Sequence, residues 1–146
     1  MPLNPHRRRS GFTLIELMIV VAVLAIIAVL AIPALLRARM ASNEASALSS
    51  LRTLNTMSEN YRTRLSTYPS ALTDMSNEGF IDTNLGSGLK SGYTYTYTGT
   101  PPAFSCNADP QSPGQTGERY FFVDTTGVIR FSTTGTANSA STPVGN

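Results

Sequence analysis

The stretch Phe12-Thr13-Leu14-Ile15-Glu16-Leu17-Met18-Ile19-Val20-Val21-Ala22-Val23-Leu24-Ala25-Ile26-Ile27-Ala28-Val29-Leu30-Ala31-Ile32-Pro33-Ala34-Leu35-Leu36 decides the fold. Apart from Thr13, Glu16 and Pro33, all of its 25 residues are Leu, Ile, Val, Ala, Met or Phe. A helix of that length, rising about 1.5 Å per residue, reaches about 37 Å. The hydrocarbon core of a bilayer is roughly 30 Å thick, so such a helix crosses it with some tilt. Apolar side chains run all the way round, which suits lipid or the centre of a bundle and not a water-facing surface. Arg7, Arg8 and Arg9 stand directly ahead and favour a cytoplasmic N-terminus; Arg37 and Arg39 beyond soften that bias without reversing it. An ordinary secretory signal peptide has a shorter apolar region and a small-x-small cleavage site, and neither is found here.

Two residues do not belong in a plain anchor. Glu16 places a carboxylate inside the apolar run, where charge is costly. Pro33 removes one backbone donor and crowds the carbonyl of Val29, which predicts a kinked or loosened helix there. Snorkelling to the interface accounts for the first taken alone, and the tolerance of membrane helices for proline accounts for the second.

Together with the leader they form a pattern. Arg7-Arg8-Arg9-Ser10-Gly11-Phe12-Thr13-Leu14-Ile15-Glu16-Leu17-Met18 resembles the N-terminal signal of type IV prepilins and type II secretion pseudopilins. The tight match covers about residues 7–40. The resemblance implies cleavage between Gly11 and Phe12 by a prepilin peptidase, which then N-methylates Phe12. It implies that Glu16 pairs with the new amino group of a neighbouring subunit, and that Pro33 marks a loosened stretch of the assembled helix. Ala25 stands where the family often has a glycine, so the resemblance does not place the start of that stretch. The implied partners are other copies of the chain in a helical homopolymer, the peptidase, an inner-membrane assembly platform, and membrane lipid before assembly.

The physics of Glu16 agrees with that role. Uncut, Phe12 carries an amide; cleavage creates an ammonium. A carboxylate in an apolar helix then gains its partner from an adjacent processed helix. Such pairs add little net stability but fix register well.

A chain of 146 residues is one domain's worth of protein. Three of its 11 basic residues are Arg7–Arg9, which leaves eight against nine acidic residues beyond the leader, a net charge of −1. That part gives no electrostatic reason to bind nucleic acid. His6 is the only histidine and lies in the leader, so triads, general bases and metal sites built on histidine are excluded beyond it. Cys106 is the only cysteine, and no intramolecular disulfide can form. It reads as a buried small hydrophobe, with an inter-subunit disulfide as the alternative. Many pilins close a C-terminal loop with a disulfide, which this chain cannot do. Asp109, Glu118 and Asp124 are spread among Pro and Gly and do not match the acidic loop of a calcium site like that of major pseudopilins. No cofactor or metal is expected.

From Ala41 to Leu65 the pattern turns amphipathic. Ala47, Leu51, Leu54, Tyr61 and Leu65 share one helical face, and Ser49, Arg52, Thr56, Asn60 and Thr63 the other. The spacing predicts one helix from about 12 to 66, ended by Tyr68-Pro69, with a separate surface helix beyond a hinge near residue 40 as the alternative. Ser70 with Asp74 resembles a helix start and Gly79-Phe80 a helix end; Gly86 to Gly92 reads as loop. Tyr93-Thr94-Tyr95-Thr96-Tyr97-Thr98 alternates strictly, which puts three tyrosines on one strand face. That stripe is expected to pack on the helix, an exposed binding surface being the alternative. Residues 119–123 and 128–131 flank Asp124-Thr125-Thr126-Gly127 as a hairpin, and a weaker strand runs through Phe104 to Ala108.

The expected architecture is α+β and pilin-like, one long N-terminal helix on a three- or four-stranded antiparallel sheet. Its parts are a cleaved basic leader (1–11), a transmembrane and filament-core helix (12–36), a globular domain (37–131) and a flexible Ser/Thr-rich tail (132–146). The expected function is structural and not enzymatic. The chain reads as a subunit, in particular the major pilin, of a type IV pilus-like filament at the cell surface. The alternative is a type II secretion pseudopilin. Glu16 disfavours the tip-type minor pseudopilins that lack this residue.

Overall fold

Helix α1 spans Leu14–Leu65 without interruption, as the single long period predicts. The computed structural model describes residues 11–145; His6, Arg7, Arg8 and Arg9 of the leader lie outside the described residues. The chain divides into two units at Leu35/Leu36, so α1 begins in one and ends in the other. Pro33 lies inside α1, and helix continues on both sides of it.

In the second unit, α1 buries Ala47, Leu51 and Leu54 completely. The rest of the buried face is not the expected one. Leu65 is 41% exposed and Tyr61 is only half-buried. Ser50 and Ser58 are buried instead. The reason is steric: a small serine leaves room for a tyrosine hydroxyl to reach the helix, and Tyr97 donates from its hydroxyl to Ser58 Oγ at 3.0 Å. Tyr61 packs beside Phe80, ring centroids 5.3 Å apart.

After α1 come two short helices, α2 (Leu72–Asn77) and α3 (Thr83–Gly86). Asp74 starts α2 by accepting from the Ser70 and Ala71 amides and the Ser70 hydroxyl. Asp82 does the same for α3 through the Leu85 amide.

Six antiparallel strands follow in simple sequence order: β1 (Leu89–Lys90), β2 (Tyr93–Thr100), β3 (Ala103–Pro110), β4 (Tyr120–Asp124), β5 (Arg130–Ser132) and β6 (Thr142–Pro143). The expected three or four strands are the inner ones. β1 falls where loop was expected between Gly86 and Gly92, and β6 falls in the segment expected to be a flexible tail. Each has two residues, too few for an alternation to be read. The 133–141 stretch that leads to β6 is tied down as well: the Asn107 side-chain amide donates to the Ala137 carbonyl at 2.7 Å, and Arg130 Nη1 donates to the Ser141 carbonyl. Val128 and Ile129 lie before β5 and not in it.

The tyrosine alternation holds. Tyr93, Tyr95 and Tyr97 are all buried, and the register sets them in rows across the sheet. Tyr97 faces Cys106, which faces Val123; Tyr95 faces Ala108, which faces Phe121. Cys106 is fully buried in that row, and burial pushes its thiol well above the usual range. Close packing is tightest at Gly99, where an added Cβ would lie 1.8 Å from the Pro69 carbonyl oxygen.

One polar cluster joins α1 to the 111–119 loop. Glu44 is 8% exposed; its Oε1 accepts the Glu118 and Arg119 amides, and its Oε2 accepts Arg119 Nε at 2.7 Å. Asn43 donates its side-chain amide to the Thr116 carbonyl, and Tyr93 donates its hydroxyl to the Arg119 carbonyl. Desolvation pushes the Glu44 carboxyl up, but the two amides and the Arg119 guanidinium outweigh it and hold the group below the usual carboxylate range. A depressed folded value means that the clasp contributes its stability above the unfolded pKa of about 4.3 and loses it as pH falls through the folded value.

A fragment beginning at Met40 keeps this clasp and the whole core and is expected to be a soluble, cooperatively folding monomer. In it, Glu44→Gln should cost about 1–3 kcal/mol at pH 7 by denaturant unfolding, as for hydrogen bonds to a charged group. The difference should shrink as the pH falls below about 4. A pH-independent difference would contradict the assigned role.

Candidate processing and assembly site

The first turn of α1 is built by Thr13 and Glu16. Thr13 precedes the helix and its hydroxyl oxygen accepts the Glu16 amide at 3.2 Å. In return Glu16 Oε2 accepts both the Thr13 amide and the Thr13 hydroxyl, each at 2.8 Å. This reciprocal exchange is a capping box, Thr-x-x-Glu, which satisfies two otherwise orphaned donors of the first turn. The negative side chain also sits at the positive end of the helix dipole. Glu16 Oε1 accepts no hydrogen bond among the described residues.

Thr13 is the residue that sequence reasoning missed. The spacing was there to be read, a threonine three residues ahead of a glutamate at the start of an apolar run. Glu16 draws attention as a charge in the wrong place, and that hides its local structural use.

Gly11 and Phe12 lie just outside the helix, in chain without regular secondary structure. Phe12 is 87% exposed, and among the described residues beyond its chain neighbours no atom lies within 4 Å of a Cβ placed on Gly11. The described residues therefore leave the Gly11-Phe12 peptide bond uncovered. The structure brings Gly11, Phe12, Thr13 and Glu16 together at one helix end. Pro33 stands 17 residues beyond Glu16, about 25 Å along the helix, and takes no part in that end.

From Phe12 to Leu36 every side chain is exposed in the single chain. This part of α1 is long and apolar enough to cross a membrane by length and composition. Residues 6–32 match the prokaryotic N-terminal methylation motif. The chain carries the class III signal of type IV pilins and pseudopilins, which supports a pilin- or pseudopilin-like precursor. The match ends at residue 32, so it speaks for the signal and not for the globular part. No curated protein and no solved structure matched the chain.

Among the described residues no group of three or more His, Cys, Asp or Glu is placed to hold an ion. Asp124 is engaged by Thr126 in its own turn, Glu118 is exposed, and burial pushes the Asp109 carboxyl up against a hydrogen bond from Thr136.

The cap can be tested directly. In the processed chain in detergent micelles, Thr13→Val keeps the shape and removes the hydroxyl. The Glu16 amide should then exchange with solvent roughly fivefold faster, the equivalent of a lost N-cap. Unchanged exchange would mean that the Thr13 hydroxyl does not hold the turn.

Proposed function

We propose that this pilin-like precursor is the repeating subunit, in particular the major pilin, of a type IV pilus-like extracellular filament. The observation that carries the reading is the methylation motif at residues 6–32, which runs into a helix whose first half is apolar on every side. In this reading water cleaves the Gly11-Phe12 amide in the prepilin peptidase, which leaves a free amine on Phe12 for N-methylation. The subunit waits in the inner membrane with its N-terminus cytoplasmic and its globular part exported. An assembly platform then draws it into the filament, where neighbouring apolar helices replace lipid.

Glu16 gives this step its register. In the single chain Oε2 is occupied by Thr13 while Oε1 is open among the described residues, so the carboxylate keeps its cap and still offers an acceptor to a neighbour's Phe12 ammonium. A charge in an apolar helix is unfavourable without such a partner, so helices slipped from that register are disfavoured. Pro33 supplies a position where α1 lacks one backbone hydrogen bond and can loosen as helices pack. A carboxylate at this place favours a repeating subunit over a tip component.

Glu16→Ala should leave expression, membrane insertion and cleavage intact, because the apolar run and the Gly11-Phe12 junction are untouched. Filaments should be lost. Glu16→Gln is the sharper variant, since it keeps shape and hydrogen bonding and removes only the charge. Filaments sheared from cells are counted by electron microscopy, with membrane-fraction subunit as the control. Normal filaments from both variants would make Glu16 a bystander and remove this assembly mechanism.

A further inference from the structure

The globular unit carries one exposed acidic side chain that is engaged by nothing among the described residues. Glu59, Glu78 and Asp82 pair with Arg62, Arg64 and Lys90. Asp74 and Asp124 hold their own turns, and Asp109 is half-buried. Glu118 is exposed and makes no ion pair. Its backbone does not move freely, because its amide is held by Glu44 on α1. A charged side chain is thus presented outward from a fixed point.

On the basic side Arg52 is its counterpart. It is exposed and makes no ion pair among the described residues, as is true of Arg37 and Arg39 nearer the apolar half of α1, whereas Arg62, Arg64 and Arg119 are all paired. Arg52 borders a groove of about 360 Å³ lined also by Gly127, Val128, Ile129 and Val144. The groove therefore offers one cation beside an aliphatic wall, which fits a carboxylate on a short methylene stem. Glutamate has that chemistry.

We infer that Glu118 of one subunit seats in the Arg52 groove of the next copy of this chain. The inference rests on the filament reading and adds to it a contact between globular parts. Glu118 is anchored at Glu44, and Arg52 lies eight residues further along α1, about 12 Å up the helix. A contact that joins two different patches at different heights is heterologous. Repeated from copy to copy with a stagger, it propagates as an open helical filament and does not close into a dimer. An ion pair at such a contact mainly selects register and partner, since like charges brought together there are strongly disfavoured.

Charge reversal in the full-length chain tests this. Arg52→Glu and Glu118→Arg should each lower the yield of sheared filaments by about tenfold or more, with membrane-fraction subunit unchanged, and the combined swap should restore it. A second measurement does not depend on reversal. The Arg52→Cys/Glu118→Cys double variant, mildly oxidised within filaments, should give a ladder of covalent oligomers that neither single variant gives. Wild-type filaments with neutral reversals, or reversals that the swap does not rescue, together with no ladder, would overturn this contact while leaving the filament reading in place. Absence of filaments from the wild-type chain would overturn both, and the two failures are told apart by that control.

Discussion

The apolar half of α1 buries none of its side chains among the described residues, and that constraint sets what the chain must find outside itself. Every side chain from Phe12 to Leu36 is exposed in the single chain, a surface that water penalises and that lipid or other apolar helices can cover. The same helix then changes character. Beyond Met40 only one face is apolar, and the chain covers that face itself with the buried side of the sheet. One continuous helix thus meets two solvents, and the change in its period from all-round to one-sided marks the boundary between them.

The sheet side of this arrangement depends on tyrosine. Tyr93, Tyr95 and Tyr97 bring large apolar rings to the helix, and two of their hydroxyls find partners at Arg119 and Ser58. Aromatic rings give a small core much of its burial, and polar tips at the helix face select one seating over others. A lone cysteine offers no covalent tie for the C-terminal segments. Hydrogen bonds serve in its place: Glu44 clasps the 111–119 loop, Asn107 and Arg130 hold the 133–141 stretch, and β6 pairs with β5.

Legibility in the sequence followed the length of each pattern. The long helix, the tyrosine strand and the Asp124–Gly127 turn are written in contiguous residues, and each was readable. Leu65 was misplaced because a helical stripe continues on paper to the last residue of α1, where Leu65 is 41% exposed. β1 and β6 were unreadable because two residues carry no period, and the Ser/Thr-rich composition around β6 resembles that of flexible chain. The Glu44–Arg119 pair joins positions 75 residues apart, and no local pattern announces it. At the candidate site Gly11, Phe12 and Glu16 stood out by their spacing. Thr13 was equally visible, yet it escaped because the charge beside it already had an explanation.

In the proposed function the basic leader is removed at the Gly11-Phe12 bond, and the amine so created is what assembly uses. Intact-mass and N-terminal peptide mass spectrometry of the exported protein tests it most directly. The expected result is a chain that begins at Phe12 and carries one added methyl group on its amine. A chain that retains Arg7–Arg9, or one cut within or after the apolar run, would contradict it.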